Sequence, residues 1–341
     1  MFHNLKTRTL SQVGWVAVAT LAFSPVLAFS PVLDSALAQE ARAPKSGPIE
    51  ITVGTGAGGT PDVVMRLTAK ILNETGIVEQ PLVVQNRTGG SWMVAANWVL
   101  GKEGDENDLL ALAGPIWATP IVQGVPTIFD KVTPIAMFVR GEVVVGVQPD
   151  SGIKNLKDLL TKAGERERGL KVAGAQVGAV DHVVTGLLQK VGNVKFNYIP
   201  FDGGGAAQTA FLGKNSDMIV LSLDEAASLK REGKVNIIAL LSETRRTDPD
   251  FKDIPTAVEQ GYDVVWNQTW GLAGPPKLDP AVVKWWDEKI KAMKETPEWK
   301  KVVDENLLRT VDVPNDKVQG WVSGYHDKYH GALQNIGLAK N

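Results

Sequence analysis

Glycine-rich turns stand between strand-like and helix-like segments at four places in this chain of 341 residues. They cover residues 54–59, 87–90, 174–178 and 202–205. Strands alternating with helices predict parallel sheets with helices on both faces. Ligands of such sheets bind beyond the carboxyl ends of the strands, where these turns fall. The four turns together predict a shared cleft, although any one of them alone is equally typical of a tight βα turn.

The first turn has the features of an anion site. It follows a β-like run at residues 49–53 and precedes a helix with Val63, Leu67 and Ile71 at helical spacing. Glycine allows a left-handed backbone and a close approach to a ligand. The helix that follows presents unpaired N–H groups and the positive end of its dipole. The turn therefore suits a carboxylate or a phosphate.

The rest of the chain continues the alternation of strands and helices. The predicted strands are residues 51–53, 82–85, 109–113, 134–149, 171–175, 196–200, 218–222 and 237–241. The predicted helices are residues 62–74, 93–100, 156–163, 181–191, 206–212 and 224–232. Asp279 and Thr296, each followed by a proline, predict two further helix starts, and a last helix follows Pro314.

Residues 1–38 have the pattern of a cleaved signal peptide. Lys6 and Arg8 form a basic region, an apolar run follows, and Ala36 and Ala38 form an A-x-A cleavage site. The apolar run is shorter than the ~20 residues that a membrane helix needs. Cleavage after Ala28 is the weaker alternative. The sequence thus predicts a secreted protein, located in the periplasm of a Gram-negative cell.

Composition narrows the classes of partner. The chain has no cysteine, so it forms no disulfides, and a lipid anchor on a cysteine at the cleavage site is excluded. Its net charge of −2 argues against binding to nucleic acid and against a polybasic membrane surface. Local donors, not the field of the whole protein, must therefore hold an anion.

Cofactor and metal motifs are incomplete. Gly54, Gly56 and Gly59 satisfy the dinucleotide pattern, but the ribose-binding acid about 20 residues on is missing. His326 and His330 share a helical face as in zinc motifs, but no further ligand is near them in the sequence, which favours a solvated face. No nucleophile elbow or paired carboxylates occur. We therefore expect no cofactor, no metal and no enzymatic activity.

Histidine and tryptophan side chains provide other candidates for ligand contact. His182 starts a helix after a glycine turn, where it could donate to an anion or cap the loop. Trp92, Trp117, Trp266 and Trp270 lie at loop or strand ends, where a ligand could stack on them. Core packing is the alternative for each of them.

Five motifs, in order along residues 48–341, resemble one known family. Gly58, Gly59, Asp62 and Arg66 match the family segment V-P-F-x-x-G-G-x-x-D-x-x-x-R, and Asn86 to Gly89 match its N-R-P-G turn. Gly178 and His182 match the segment S-x-G-x-G-x-x-x-H, and Pro200 to Gly203 stand at the place of P-Y-K-G. Ile254 to Thr256, with Glu259 and Gly261, match V-P-T-x-x-E-x-G. The chain resembles the extracytoplasmic solute receptors of tripartite tricarboxylate transporters, often called the Bug family.

This resemblance implies an α/β, two-lobed periplasmic-binding-protein fold. Each lobe has a central, mostly parallel sheet flanked by helices, and two hinge crossings near 139 and 245 join them. Lobe 1 is expected at residues 39–138 plus 246–341, and lobe 2 at residues 139–245. The protein is expected to be a monomer that captures an organic carboxylate by lobe closure and delivers it to a membrane permease. A sensor for a two-component system is the alternative, and a secreted α/β enzyme is less favoured.

The resemblance also places the ligand between the first loop and residues 174–182 and 201–205. The expected ligand-binding residues are Thr55, Gly56, Gly58, Gly59, Thr60, Asp62, Trp92, Gln176, Gly178, His182, Asp202, Gly203, Gly204, Ser222 and Trp270.

Several of these positions depart from the family pattern. Gly54 and Thr55 replace a proline and an aromatic residue, Trp92 and Gln176 replace glycines, Asp202 replaces a frequent lysine, and Ser222 replaces a common asparagine. A tryptophan in place of glycine either fills part of the pocket or provides a stacking surface. We therefore expect an aromatic or bulky carboxylate, with a dicarboxylate such as terephthalate included, rather than citrate.

Overall fold

A computed structural model describes residues 40–165, 169–175, 177–201, 204–313 and 315–339. The predicted signal peptide and the predicted site residues Gln176, Asp202 and Gly203 lie outside the described residues.

Strands and helices alternate through most of the chain, as predicted. The strands are β1 (Ile49–Val53), β2 (Leu82–Asn86), β3 (Asp108–Leu112), β4 (Thr133–Val147), β5 (Lys171–Gly174), β6 (Asn197–Pro200), β7 (Met218–Ser222), β8 (Asn236–Leu240), β9 (Asn267–Gly274) and β10 (Leu308–Thr310). The helices are α1 (Thr60–Glu74), α2 (Met93–Leu100), α3 (Gly114–Gln123), α4 (Leu156–Gly164), α5 (Val180–Gly192), α6 (Gly204–Leu212), α7 (Leu223–Arg231), α8 (Pro280–Lys294), α9 (Pro297–Glu305) and α10 (Asn315–Asn335).

The strands form two sheets that share β4. In the first sheet the order is β2-β1-β3-β9-β4, and β10 also pairs with β4. In the second sheet the order is β4-β7-β5-β6, and β8 pairs with β4. The pairs β1–β2, β1–β3, β5–β6 and β5–β7 are parallel, whereas β9 and β4 run antiparallel to their neighbours. The α/β class predicted from the alternation is confirmed.

Strand β4 changes from one sheet to the other between two consecutive residues. Glu142 pairs with Asn267 of the first sheet, and Val143 pairs with Ser222 of the second. Glu142 is 1% exposed and forms ion pairs with Arg246 Nη1 at 2.9 Å and Arg309 Nε at 2.7 Å. A buried charge cluster therefore lies where the sheets meet. The expected lobe boundaries near 139 and 245 stay a prediction.

The helices of the C-terminal third begin where their capping residues predicted. Asp279 accepts a hydrogen bond from Ala281 N–H at 2.8 Å, and Thr296 Oγ1 accepts one from Trp299 N–H at 3.1 Å. The prolines that follow occupy the first turns of α8 and α9. The buried rings of Trp286 and Trp299 belong to the core, so these are packing helices, as expected.

Three elements, α3, β9 and the short strand β10, were not predicted. Pro115 lies in the first turn of α3, where proline is tolerated, whereas Pro120 lies inside this helix of ten residues, where proline removes one backbone hydrogen bond. Strand β9 was not predicted because it contains glycine residues. A methyl group on one of them, Gly271, would overlap the Ala136 carbonyl of the neighbouring strand. Gly271 is therefore required by the close approach of two strands. None of the helices in the described part of the chain is both long enough and apolar enough to cross a membrane.

Candidate functional site

The first loop, residues 54–59 between β1 and α1, is fastened by the Asp62 carboxylate. Gly58 N–H donates to Asp62 Oδ2 at 2.9 Å, with Gly58 in the left-handed region at a φ of +84°. Asn86 Nδ2 donates to Asp62 Oδ1 at 2.8 Å and to the Thr55 carbonyl at 2.9 Å. Arg66 Nε donates to the same carboxylate at 3.0 Å. Asp62, Arg66 and Asn86, which carried the family resemblance, thus hold one another and set the shape of the loop.

Asp62 is 2% exposed and its oxygens are occupied by these donors. Burial acts to raise the pKa of this carboxyl, but the hydrogen bonds from Arg66, Gly58 and Asn86 outweigh burial and lower the pKa. The group is therefore ionised at neutral pH. Its place is behind the loop, where it positions the residues that face the cleft.

Two adjoining cavities open beside the first loop. One, here called the α3 cavity, has a volume of about 420 Å³ and lies between the loop, the turn before α2, helix α3 and residues 177–179. The other, here called the cleft cavity, has a volume of about 310 Å³ and is lined by residues of both sheets. Volumes of this order are typical of small-ligand sites. Thr55, Trp92, Pro115, Gly178 and Ala179 line both cavities.

The expected site residues divide into those that line these cavities and those that lie behind. The residues at the cleft cavity are Thr55, Thr60, Trp92, Gly178, Gly204, Ser222 and Trp270. Gly56 lines the α3 cavity. The described residues that line neither are Gly58, Gly59, Asp62 and His182. The structure therefore brings the first loop, the turn before α5 and the start of α6 to one place.

The first loop offers unpaired donors to these cavities. The N–H groups of Thr55, Gly56 and Thr60 have no hydrogen-bond acceptor among the described residues, whereas Gly59 N–H donates to the Gly56 carbonyl at 3.2 Å. Thr60 is the first residue of α1, so the positive end of that helix dipole lies at the same point. This arrangement suits a carboxylate of a ligand.

Trp92 fills the space between the loop and the turn before α2. It is 6% exposed and has a φ of +76°, a backbone conformation that is unusual for a bulky residue. A methyl group on Gly54 would overlap its indole ring. Of the two roles considered for this residue, the structure favours filling, although one part of the side chain still lines both cavities.

The other tryptophans lie either at the cleft or in the core. Trp270 lines the cleft cavity and packs closely over Gly141, since a methyl group there would be 2.7 Å from Trp270 Cη2. Trp117 Nε1 donates to the Val322 carbonyl at 3.2 Å, and its ring stacks on Phe129 at 4.9 Å. Trp266 packs edge-on against Tyr329 at 4.9 Å. Trp117 and Trp266 are therefore core residues.

His182 caps its own loop. Its Nδ1 accepts a hydrogen bond from Gly178 N–H at 3.3 Å, and its ring stacks on Tyr198 with centroids 4.0 Å apart. Burial lowers the pKa of His182, so the imidazole is neutral at neutral pH. It lines a separate cavity of about 350 Å³ beside Tyr198.

Asp181 and Glu225, two acidic residues that the sequence analysis did not single out, line the cleft cavity. Asp181 is 9% exposed, and burial raises the pKa of its carboxyl despite hydrogen bonds from Ala175 N–H and neighbouring donors. The Glu225 carboxyl accepts a hydrogen bond from Ser222 N–H at 3.3 Å. Desolvation by the surrounding protein raises the pKa of this carboxyl, and the nearby carboxyl groups of Asp224 and Asp181 raise it further. Gln268 and Tyr329 also line this cavity. In the sequence, Asp181 directly precedes His182 at the predicted start of a helix, and Glu225 is the second residue of another predicted helix.

No group of three or more potential metal ligands occurs among the residues that the structure describes. The His326 and His330 rings lie 6.4 Å apart on α10.

Residues 64–338 match the sequence profile of the tripartite tricarboxylate transporter family receptor. This chain belongs to that family. BugT of Bordetella pertussis is 26% identical over 302 residues, which cover 85% of this chain and 89% of BugT. The predicted family is therefore confirmed, and so is the prediction that the protein is not an enzyme, because members of the family are solute-binding receptors.

Solved structures share the fold of this receptor. The periplasmic binding protein BugD superposes with a TM-score of 0.75 at 20% identity, covering 87% of this receptor and 100% of BugD. An R. palustris protein solved with adipate superposes with a TM-score of 0.77 at 20% identity, covering 86% of this receptor and 98% of that chain. These likenesses confirm the periplasmic-binding-protein fold.

Proposed function

We propose that this receptor captures an organic carboxylate in the periplasm by closure of two lobes and delivers it to a membrane permease of the tripartite tricarboxylate type. The observation that carries the proposal is the first loop. The cavities at the start of α1 are lined by Thr55, Gly56 and Thr60, whose N–H groups have no acceptor among the described residues. Charge-assisted hydrogen bonds of this kind contribute about 1.5–3 kcal/mol each. After the cost of association, we expect affinities of micromolar order.

Lobe 1 comprises residues 39–138 plus 246–341, and lobe 2 comprises residues 139–245. Support comes from β4, which passes from one sheet to the other, and from the return of the chain, where Leu241 N–H donates to the Val143 carbonyl at 2.9 Å. The cleft cavity takes residues from both sheets, so rotation about these crossings changes its width. The closed form has to bind the ligand better than the open form for closure to report occupancy.

Export and delivery complete the proposal. Residues 1–38 act as a signal peptide, the mature protein is a free monomer, and the closed receptor docks on its permease. Uptake of a labelled ligand by cells with and without this receptor tests delivery. Unchanged uptake, together with a ligand-dependent transcriptional response, would point to the sensor alternative.

The ligand is proposed to be an aromatic or bulky carboxylate. Trp92 and Trp270 line the cleft cavity, and Trp92 leaves less room beside the first loop than a glycine would. The relative solved with adipate supports a carboxylate in general terms. Calorimetry with citrate, benzoate and terephthalate tests this part of the proposal. Binding of citrate without binding of either aromatic acid would contradict it.

A thermal-shift screen over mono-, di- and aromatic carboxylates tests the proposed function itself, with the corresponding amides as controls. A ligand at 100 times its dissociation constant adds about 2.7 kcal/mol to the free energy of unfolding. We expect stabilisation by an acid and none by its amide. Equal stabilisation by both, or by no acid at all, would contradict the proposal. A turnover assay on the ligand found should show binding without product.

A further inference from the structure

One wall of the cleft cavity is acidic. Asp181 and Glu225 are the charged residues among its described lining residues, and no lysine, arginine or histidine is found in that described lining. Asp181 belongs to the first turn of α5, and Glu225 to the first turn of α7. Thr55 and Thr60 of the first loop line the same cavity. A ligand held by the first loop thus shares the cavity with two carboxyl groups.

Asp181 already occupies the anion position at the start of α5. Its carboxyl accepts a hydrogen bond from Ala175 N–H, and the nearby N–H groups of Asp181 and His182 act to lower its pKa. The Tyr198 hydroxyl lies within hydrogen-bond reach of both this carboxyl and the Ala175 carbonyl, the latter at 3.0 Å. A methyl group on Gly174 would overlap the Asp181 carboxyl, so packing holds this carboxyl in place. Asp181 therefore takes the Ala175 N–H and places a carboxyl group of the protein at the start of this helix, where a ligand anion would otherwise be favoured.

Glu225 adds a second carboxyl to this wall. Glu225 is an exposed residue that lines the cavity, and desolvation by the protein around its carboxyl raises the pKa of that group. Asp181 adds to this rise and lines the same cavity. Glu225 Oε1 also lies 3.9 Å from the position of a methyl group on Gly204, at the start of α6. A further anion brought to this place would meet these two carboxyl groups and no cationic side chain of the described lining.

Ser222 supplies an independent sign of a missing partner. It is 3% exposed, lines the cleft cavity and is the N-cap of α7, where it forms a capping box with Glu225. Its hydroxyl also acts to lower the pKa of the Glu225 carboxyl, and its Oγ makes no hydrogen bond to any other described residue. Buried hydroxyl groups normally find a partner, so a ligand group at this point would complete it.

We propose that the acidic wall selects a ligand with a hydrogen-bond donor, such as an ammonium, hydroxyl or amide group, at the end away from its carboxylate. A second carboxylate at that end is disfavoured. The inference rests on the proposed function, because the first loop has to hold the carboxylate. It narrows the ligand from carboxylates in general to asymmetric molecules with an acceptor end and a donor end.

Two matched series of probes test the proposal by calorimetry at pH 7.5. The aliphatic series is 6-aminohexanoate, 6-hydroxyhexanoate, hexanoate and adipate. The aromatic series is 4-(aminomethyl)benzoate, 4-(hydroxymethyl)benzoate, 4-methylbenzoate and terephthalate. In the series that fits the cavity, we expect the ammonium and hydroxyl members to bind at least tenfold tighter than the dicarboxylate. A dicarboxylate that binds as tightly as these members overturns the inference and leaves the proposed function standing.

Variants assign the preference to this wall. Glu225→Gln removes one charge and keeps the shape, so the affinity ratio of the ammonium member to the dicarboxylate should fall at least tenfold. Asp224→Asn is the matched control, because Asp224 precedes Glu225 in α7 but does not line the cavity. A ratio unchanged in Glu225→Gln overturns the inference. If no member of either series binds and the carboxylate screen is also negative, the proposed function fails first, and the inference with it.

Discussion

The indole ring of Trp92 lies where a side chain on residue 54 would have to go, and residue 54 is a glycine. Both positions depart from the family pattern, which has proline at the first and glycine at the second. The two departures depend on each other, because the Trp92 side chain fits only when residue 54 has no side chain. The first loop and the turn before α2 are therefore packed against each other beside the two cavities.

Gly54→Ala should lower the free energy of unfolding by about 1–3 kcal/mol, because the new methyl group overlaps a buried ring. Chemical denaturation measures the change. Gly56→Ala is the matched control, since a methyl group there meets no atom within 4 Å. In a Trp92→Gly background the cost of Gly54→Ala should disappear. A cost that stays the same in that background would show that the two positions are independent.

Asp62→Ala should weaken binding of the carboxylate at least tenfold, because the loop loses the acceptor of Gly58 N–H and Asn86 Nδ2. Asp158→Ala is the control. Asp158 accepts from Lys154 N–H at 3.0 Å with the same spacing, at the start of α4 and away from the cavities. It should cost stability and leave affinity unchanged. Equal affinities in both variants would contradict the positioning role of Asp62.

The stabilising effect of Asp62 should also depend on pH. Its folded-state pKa is lowered, so its contribution is present above the ordinary carboxyl range and is lost as the pH falls through the lowered pKa. The difference in melting temperature between the wild type and Asp62→Ala should therefore shrink in acid. A difference that is constant from pH 7 down to pH 3 would argue against an ionised Asp62 in the folded protein.

Asp181→Asn should raise the melting temperature at pH 8 and have a smaller effect at pH 4. Burial raises the pKa of Asp181, so the wild type loses stability as the pH rises from the ordinary carboxyl range through that raised pKa. Tyr198, Glu225 and Tyr329 are the titratable groups that interact with it, and Glu225→Gln should show the same sign. If Asp181→Asn is less stable than the wild type at pH 8, interactions within the folded protein compensate for the burial of the Asp181 charge.

Glu142→Gln should lower the free energy of unfolding by about 3–5 kcal/mol, because it leaves Arg246 and Arg309 without their buried partner. Asp150→Asn is the control, since the Asp150–Lys214 pair is exposed on both sides and should contribute little to stability. Chemical denaturation compares the two variants. Similar small losses would show that the cluster between the sheets contributes little.

Local signals predicted much of the fold. The strand before the first loop, the helix after it, and the capped starts of α8 and α9 depend on neighbours in the sequence, and they were found. Strand β9 was missed because the reason for Gly271 lies in a neighbouring strand, where Ala136 approaches it. A glycine that a turn requires and one that a strand contact requires look alike in a sequence.

The site was predicted to the extent that turns define it. The first loop, Trp92, Gly178 and Gly204 line the cavities, and the sequence pointed to them because glycine turns mark the strand ends. The acidic wall was not, because Asp181 and Glu225 come from separate helices and only the tertiary fold brings them together. For the same reason, the sequence could not show that Asp62 and His182 face their own loops.

The place of β9 in the sheet order has a consequence for how the protein reaches its native state. β9 lies between β3 and β4, yet it follows the whole of the second sheet in the chain. As the chain is synthesised, β3 exposes an unpaired edge until this late strand arrives. The first half of the molecule cannot complete its core early, and its closure depends on contacts distant in sequence, which form slowly. A nascent chain that stays open for so long gives a chaperone the time to engage it.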